Sequence, residues 1–444
     1  MNDTTNPPAG SLLMRDTRTA RRNAADARFR AFGLTAVLIA LAALSILLLS
    51  VLSSGLGAFR QSYIHIPVTL TESALDKSGT RDINALKKIS TFGYAKIIET
   101  ALEAAITQAG IKINGLTAKD ISNTLSKQAP AQIRNMVLAN PVLIGQTITV
   151  SVLADGRIDG YLKGRVTMDS AAQDGNISPR QLLLADAMRA NGMLSLDFSP
   201  AFITGPDASD QRPEAAGLGV AILGSLYMML IVLVLALPIG VAASIYLEEF
   251  APQNRLTDLI EVNIANLAAV PSIVFGILGL AIFINFAGLP QSAPIVGGLV
   301  LTLMTLPTII IATRASFKAV PPSIRDAALG VGASRMQAVF HHVLPLAAPG
   351  ILTGAILGLA QALGETAPLL LIGMVAFVRE YPAAPPEGLF DPASALPVQI
   401  YNWTQRADPA FVERASGAII VLLVFLTIMN VAAILLRRRY ERRW

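Results

Sequence analysis

Residues 321–345 read Pro-Pro-Ser-Ile-Arg-Asp-Ala-Ala-Leu-Gly-Val-Gly-Ala-Ser-Arg-Met-Gln-Ala-Val-Phe-His-His-Val-Leu-Pro, a polar, basic stretch wedged between two long apolar runs. Ser323 followed by Asp326 has the spacing of a capping box and predicts a helix beginning there. Gly330 and Gly332 can end it, because glycine enters the left-handed conformation at little cost. Ser334 and Gln337 repeat the capping-box spacing and predict a second helix. Met336, Val339, Phe340 and Val343 fall at i, i+3, i+4 and i+7 and give that helix one apolar stripe, with Pro345 expected to break it. A helix–hinge–helix of this kind between apolar spans is suited to docking a partner.

The rest of the chain has the composition of an integral membrane protein. Of 444 residues, 53% are hydrophobic and 15% charged, and the apolar residues gather in long blocks. Zero cysteines exclude disulfides, thiolate metal sites and a cysteine nucleophile. Residues 1–31 carry Arg15, Arg18, Arg21, Arg22, Arg28 and Arg30 with no lysine, and the apolar block 32–52 follows. That block matches the ~20 residues needed to cross a bilayer and exceeds a signal-peptide core, so an uncleaved anchor helix is favoured over a cleaved leader. The arginines place residues 1–31 in the cytoplasm by the positive-inside rule.

Residues 60–212 differ in kind: charges of both signs recur every few residues and no window is apolar enough to span. Ala95–Ile106 has helical periodicity and Gln146–Leu153 alternates like a strand, which predicts an inserted α+β soluble domain on the far side of the membrane. Ala208–Pro213 is polar and reads as a linker. Residues 215–440 form a membrane core with expected spans Leu218–Ile245, Ile264–Phe286, Ile295–Thr313, Ala347–Phe377 and Gly417–Leu436. With the anchor this makes an all-α polytopic protein of six transmembrane helices, its C-terminus cytoplasmic beside Arg437, Arg438, Arg439, Arg442 and Arg443. The same count puts the loop 316–345, with Arg314, Lys318, Arg325 and Arg335 in and beside it, on the cytoplasmic side.

Several constellations bear on chemistry. Gly350, Gly354 and Gly358 recur at four-residue spacing, either a ridge for close helix packing or the ordinary frequency of glycine in membrane helices. Glu365, in Gly364-Glu365-Thr366-Ala367-Pro368, is a carboxylate at membrane depth; it either lines a path or pairs with an arginine from another helix. Arg314 sits at the inner end of its span and is expected to snorkel. Glu248 and Glu249 are expected to be solvated. His341 and His342 point about 100° apart on a helix, a poor arrangement for one metal. No Gly-x-x-x-x-Gly-Lys-Ser/Thr phosphate loop occurs, so this chain is not expected to bind or hydrolyse ATP by that route.

Asp326-Ala327-Ala328, then Gly332, then Leu344-Pro345 resemble the signature loop of ABC importer permeases. In that family the pattern runs Glu-Ala-Ala, three residues, Gly, nine residues, an aliphatic, one residue, Leu-Pro; here Asp326 replaces the glutamate and His342 the aliphatic. Ala269-Val270-Pro271-Ser272-Ile273-Val274-Phe275-Gly276 and Leu363-Gly364-Glu365-Thr366-Ala367-Pro368-Leu369-Leu370 look like the phosphate-specific, PstA-type branch, and Ala319-Val320-Pro321 fits it too. The resemblance covers roughly residues 215–440 and implies a MetI-like, type I permease core. It also implies a bacterial inner-membrane location and phosphate import as a heterodimer with a PstC-type permease. The implied partners are two copies of a PstB-type ATPase, which use the ATP, and a PstS-type periplasmic phosphate-binding protein. No cofactor is expected on this chain, and no nucleic acid; membrane lipid surrounds it. The resemblance assigns Asp326, Ala327, Ala328, Gly332, Leu344 and Pro345 to ATPase coupling. Candidates for the substrate path are Glu365, Thr366, Arg314 and Gln361.

Two departures bear on the substrate. Members often carry arginine three residues before Arg314 and four before Glu365, where this chain has Ile311 and Gln361. The anion path here would then rely on the partner permease or on Arg314. An ABC permease for sulfate or molybdate is the alternative within transporters. A membrane-anchored ligand sensor would not need so many glycine- and proline-rich spans. An intramembrane enzyme would want a second catalytic group at the depth of Glu365, and the sequence offers none.

Overall fold

The apolar run that begins at Phe32 has no polar face, and it folds as part of one long helix, α1 (Thr17–Gly55), in a computed structural model. The structure describes residues 17–76, 79, 81–374 and 377–440; residues 1–16, with Arg15, and the terminal Arg442 and Arg443 lie outside the described residues. By internal contacts the chain divides into a first unit, Met1–Ser53, and a second, Ser54–Trp444.

Within the second unit the inserted domain is built on strand β1 (Arg60–Thr69), whose Ile64, Ile66 and Val68 alternate into its core. Helix α2 (Thr91–Gln108) brings Tyr94, Ile98, Leu102 and Ile106 to one buried face, the four-residue spacing of a helical stripe. Helix α3 (Ala129–Ala139) and strand β2 (Thr147–Leu153) follow, then α4 (Gly156–Leu162), α5 (Pro179–Ala190) and β3 (Leu194–Phe198). Among the described residues the three strands form one antiparallel sheet in the order β2-β1-β3, with Tyr63 opposite Leu153 and Ser195. The helix expected within Ala95–Ile106 and the strand expected within Gln146–Leu153 are both present. One apolar cluster running from Ile64 to Leu194 gives the domain a core of its own.

The stretch expected as a linker is instead an ordered joint. Asp207 is buried and accepts from Trp403 Nε1 at 3.0 Å and from Arg406 Nη2 at 2.8 Å, and Arg212 donates to Gln128 Oε1 at 2.7 Å. A second cluster packs Ala58, Phe202, Leu218, Trp403 and Phe411 around it, with Arg406 lying 4.4 Å over the Phe411 ring. Beside it, Arg414 is buried and donates to Gln61 Oε1 and to the main-chain oxygens of Glu214 and Ala216, at 2.6–2.7 Å. Lys163 bridges Asp159 at 2.8 Å and Glu413 at 2.9 Å. The stretch 208–213 reads as a linker because its partners are remote, 84 positions away for Arg212 and 198 for the Ala208 oxygen, which accepts from Arg406.

Glu214 in this joint is 5% exposed, and burial pushes its carboxyl up from 4.5 to about 7. The folded protein therefore binds that proton more tightly than the unfolded chain. Its contribution favours folding at low pH and is lost as pH rises from the unfolded value through about 7. The loss is on the order of 3 kcal/mol. The midpoint of thermal inactivation should fall between pH 5 and pH 8, and Glu214→Gln should flatten that dependence; an unchanged slope in the variant would contradict the assignment.

The membrane core begins with α6 (Gly219–Ile245), which ends in a π-helical turn, Tyr246–Phe250. The single span expected over Ile264–Phe286 is not one straight helix. Helix α7 (Arg255–Ala268) and helix α8 (Ser272–Gly279), which continues as a π-helical stretch to Phe286, meet at 100°. The cause is local: Pro271 has no N–H to give and disfavours helix at Val270. Then come α9 (Pro294–Lys318), α10 (Pro322–Gly330), α11 (Arg335–Ala338) and α12 (Leu344–Gly364), followed by α13 (Ala367–Leu371), α14 (Leu396–Gln405) and α15 (Pro409–Tyr440). The span expected over Ala347–Phe377 therefore stops at Gly364. Among the described residues five helical runs are long and apolar enough to cross a membrane, and a sixth if the bent α7–α8 pair counts as one.

Candidate functional site

The loop that opened the reading folds as two helical pieces, with two differences from its expected form. Ser323 does not cap α10; Pro321 precedes the helix and Pro322 occupies its first turn, where a missing N–H is harmless. Ser334 and Gln337 do form a capping box, with Gln337 N donating to Ser334 Oγ at 3.3 Å and Ser334 N to Gln337 Oε1 at 2.9 Å. Gly332 sits between the two pieces at φ +88°, a conformation only glycine adopts cheaply. Pro345 does not break the second piece. It falls in the first turn of α12, just after a π-helical turn, Val339–Val343, and α11 and α12 run on as one span, Arg335–Gly364. Of the expected stripe, Val339 and Val343 are buried while Met336 and Phe340 are exposed.

Helix α10 offers an exposed face of Asp326, Ala327 and Leu329, and tucks Ala328 inward. Leu344 and Pro345 are half-buried at the start of α12. What ties α10 down is Arg325. Its Nη2 lies 2.7 Å from Glu249 Oε1 and 2.9 Å from the Phe317 oxygen, its Nε 3.0 Å from Glu249 Oε1, and its Nη1 2.9 Å from the Val320 oxygen. Arg314 does not snorkel into solvent. It is held by Glu261 at 2.6 Å and Glu248 at 3.4 Å, with Lys318 also 3.8 Å from Glu248. Glu248 and Glu249, expected to be solvated, are thus the anchors of two ion-pair clusters. Their arginine partners lie 66 and 76 positions away in sequence, which is why local patterning misses them.

Glu365 stands at a second helix break. It ends α12 in an extended conformation (φ −76°, ψ 130°), half-buried, and its carboxylate has no hydrogen-bond or ion-pair partner among the described residues. Thr366 starts α13 without capping it, and Gln361 is exposed one turn earlier on α12. The two breaks are brought together. Helix α8 packs on α13, and Gly276 allows it: a Cβ there would lie 2.7 Å from Pro368 Cα. Phe275, Leu363, Leu369 and Ile372 close one apolar cluster around that contact. The ridge of Gly350, Gly354 and Gly358 faces α9, against Ser316, Ala312 and Ile309 respectively, so α12 and α9 approach at backbone distance.

Residues 236–444 match the family described as binding-protein-dependent transport system inner membrane component. Over 254 residues the chain is 34% identical to a probable ABC transporter permease protein, YqgI, of Bacillus subtilis, covering 55% of this chain and 84% of that one. It is 31% identical over 230 residues to the phosphate transport system permease protein PstA 1 of Mycobacterium tuberculosis, covering 52% of this chain and 72% of that one. The chain belongs to the PstA-type ABC importer permeases. As such, this permease is a multi-pass inner-membrane transport subunit with a MetI-like fold and is not itself an enzyme. Residues 16–172 of the permease match a domain of unknown function (DUF3333), which accounts for most of the insert. A solved inward-facing structure of the MetNI methionine ABC transporter is 16% identical to the permease, covering 51% of this chain and 95% of that one with a TM-score of 0.39.

Proposed function

We propose that this permease subunit carries inorganic phosphate into the cytoplasm, as half of a heterodimer with a PstC-type permease. A PstB-type ATPase dimer supplies the work and a PstS-type protein delivers the substrate. In this reading residues 1–31 and the C-terminus are cytoplasmic, the inserted domain is extracytoplasmic, and α10 meets the ATPase. The observation that carries the reading is the meeting of the two motif segments: the start of α8 and the break at Glu365–Thr366 lie on packed elements, leaving unwound backbone and an unpartnered carboxylate together. The names of the relatives support phosphate as the substrate. Arg314 is neutralised by two carboxylates, so the cations that meet the anion come from the partner permease.

The substrate is tested by the ATPase rate of the reconstituted complex with its binding protein. Phosphate should stimulate it at least about tenfold more effectively than sulfate or molybdate. Preferential stimulation by sulfate or molybdate would overturn the phosphate reading while leaving the permease reading in place. The coupling face is tested separately. Asp326 is exposed and its side chain has no partner among the described residues, so Asp326→Lys should change stability by less than about 0.5 kcal/mol. It should nevertheless strip the ATPase from the purified complex; co-purification at wild-type yield with normal uptake would remove Asp326 from the interface.

A further inference from the structure

Helix α1 is longer than a bilayer needs. Its 39 residues span about 58 Å at ~1.5 Å per residue, whereas the apolar block 32–52 alone covers the ~30 Å of hydrocarbon. Residues 21–31 therefore continue about 16 Å past that block as helix. Four arginines, Arg21, Arg22, Arg28 and Arg30, stand on this projection with one acid, Asp26. All are exposed, and none of the four arginines is in an ion pair among the described residues. Arg28 Nε donates to the Ala24 oxygen at 3.3 Å, within its own helix.

The charges are not spread evenly around the helix. At about 100° per residue, Arg28, Arg21, Phe32, Ala25, Phe29 and Arg22 follow one another around an arc of about 120°. Asp26, Arg30, Asn23, Ala27, Ala31 and Ala24 fill the other side, where Asp26 and Arg30 offset each other. One face thus carries three uncompensated positive charges, and the other carries no net charge. The charged face also holds two rings at the edge of the apolar block, Phe29 and Phe32, 80% and 74% exposed. The positive-inside effect depends on how many cations flank a span and not on which side of the helix they occupy, so it does not account for this asymmetry. Amphipathic aromatic and basic faces of this kind suit the boundary between acyl chains and negative headgroups.

We propose that this face of α1 binds anionic phospholipid headgroups. The helix leans towards the face, so that Arg21, Arg22 and Arg28 reach headgroup phosphates while Phe29 and Phe32 enter the acyl boundary. An upright helix would leave Arg21 about 16 Å from the hydrocarbon, beyond the headgroup layer, so engaging all three arginines requires the lean. Each arginine brought near an anionic surface favours the leaning position about fivefold. Salt opposes it, because the Debye length shortens from about 8 Å at physiological ionic strength to about 3 Å at 1 M. The inference is independent of which anion the permease carries.

The chain has no cysteine, so Ala25→Cys takes a single fluorophore on the proposed face and Asn23→Cys one on the other side. The labelled full chain is placed in nanodiscs of phosphatidylcholine, alone or with about a third phosphatidylglycerol, each with the same fraction of a lipid carrying a quencher on its headgroup. With phosphatidylglycerol, quenching at position 25 should rise at least about threefold and exceed that at position 23. Salt at about 1 M should return it to the level in phosphatidylcholine alone. Replacing Arg21, Arg22 and Arg28 together by glutamine should do the same, with Arg15, Arg18 and Arg30 left in place to keep the topology. The salt measurement needs no arginine variant, so a folding defect in the triple variant cannot decide the result. The proposal is overturned if the two lipid mixtures quench alike, if positions 23 and 25 respond equally, or if high salt leaves the quenching unchanged. A response that appears only when the ATPase subunit is added, whatever the lipid, would also overturn it and assign the face to that subunit.

Discussion

Replacing Arg325 with alanine should uncouple this permease: ATP hydrolysis by the assembled complex continues while phosphate uptake falls more than about tenfold. Helix α10 buries little of its own, chiefly Ala328 with Ile324 packed alongside Phe317 and Val343. Its position is otherwise fixed by one guanidinium that reaches Glu249 and two main-chain oxygens at once. Removing it leaves Glu249, 11% exposed, as an unpaired charge, a loss on the order of 3–5 kcal/mol. That exceeds what the small apolar contact holds, so α10 comes away from α6 and α9. Arg325→Lys should be intermediate, because an ammonium cannot make the forked contact. Unchanged uptake per ATP in Arg325→Ala would show that α10 is held by something else.

The second large effect is expected at Glu365. Glu365→Gln keeps the shape and hydrogen-bonding reach of the side chain and removes only its charge. The carboxylate at the end of α12 has no partner in its own chain among the described residues, and the proposed function puts it on the substrate path. On the proposed reading the charge acts where the substrate passes, and uptake should fall at least about tenfold with assembly intact. Uptake at the wild-type rate would return Glu365 to a structural role, that of closing a helix before Pro368.

Why some of this was legible in sequence and some was not is clearest from the prolines. The sequence reads Pro345 as a break, runs one span straight through Pro271 and takes Pro321 as the lead into the loop, and the three act otherwise than that pattern suggests. Pro321 ends one element and leads into the next. Pro271 turns the chain by 100° between two apolar segments that look like one span. Pro345 follows a π-helical turn, in the first turn of α12, and breaks nothing. A proline's missing donor is local information, but whether the chain bends depends on what packs against it, and that is not local. The capping box at Ser334, the stripe of α2 and the alternation of β2 were readable because every participant lies within a few residues. The clusters around Glu248 and Glu249 and the Ser126–Glu214 contact, 88 positions apart, were not. The signal for the last was present only as an acidic residue just past Pro213, where the expected linker ended.

In the proposed function, work done on α10 passes along the continuous α11–α12 span to the break at Glu365, and phosphate is what moves. The most direct measurement is simultaneous phosphate accumulation and ATP consumption in proteoliposomes containing both permeases, the ATPase and the binding protein. Phosphate should accumulate only with ATP, and sulfate and molybdate should not compete. Arg325→Ala should consume ATP without accumulating phosphate. Accumulation of sulfate or molybdate in place of phosphate, or full accumulation by the Arg325→Ala complex, would contradict it.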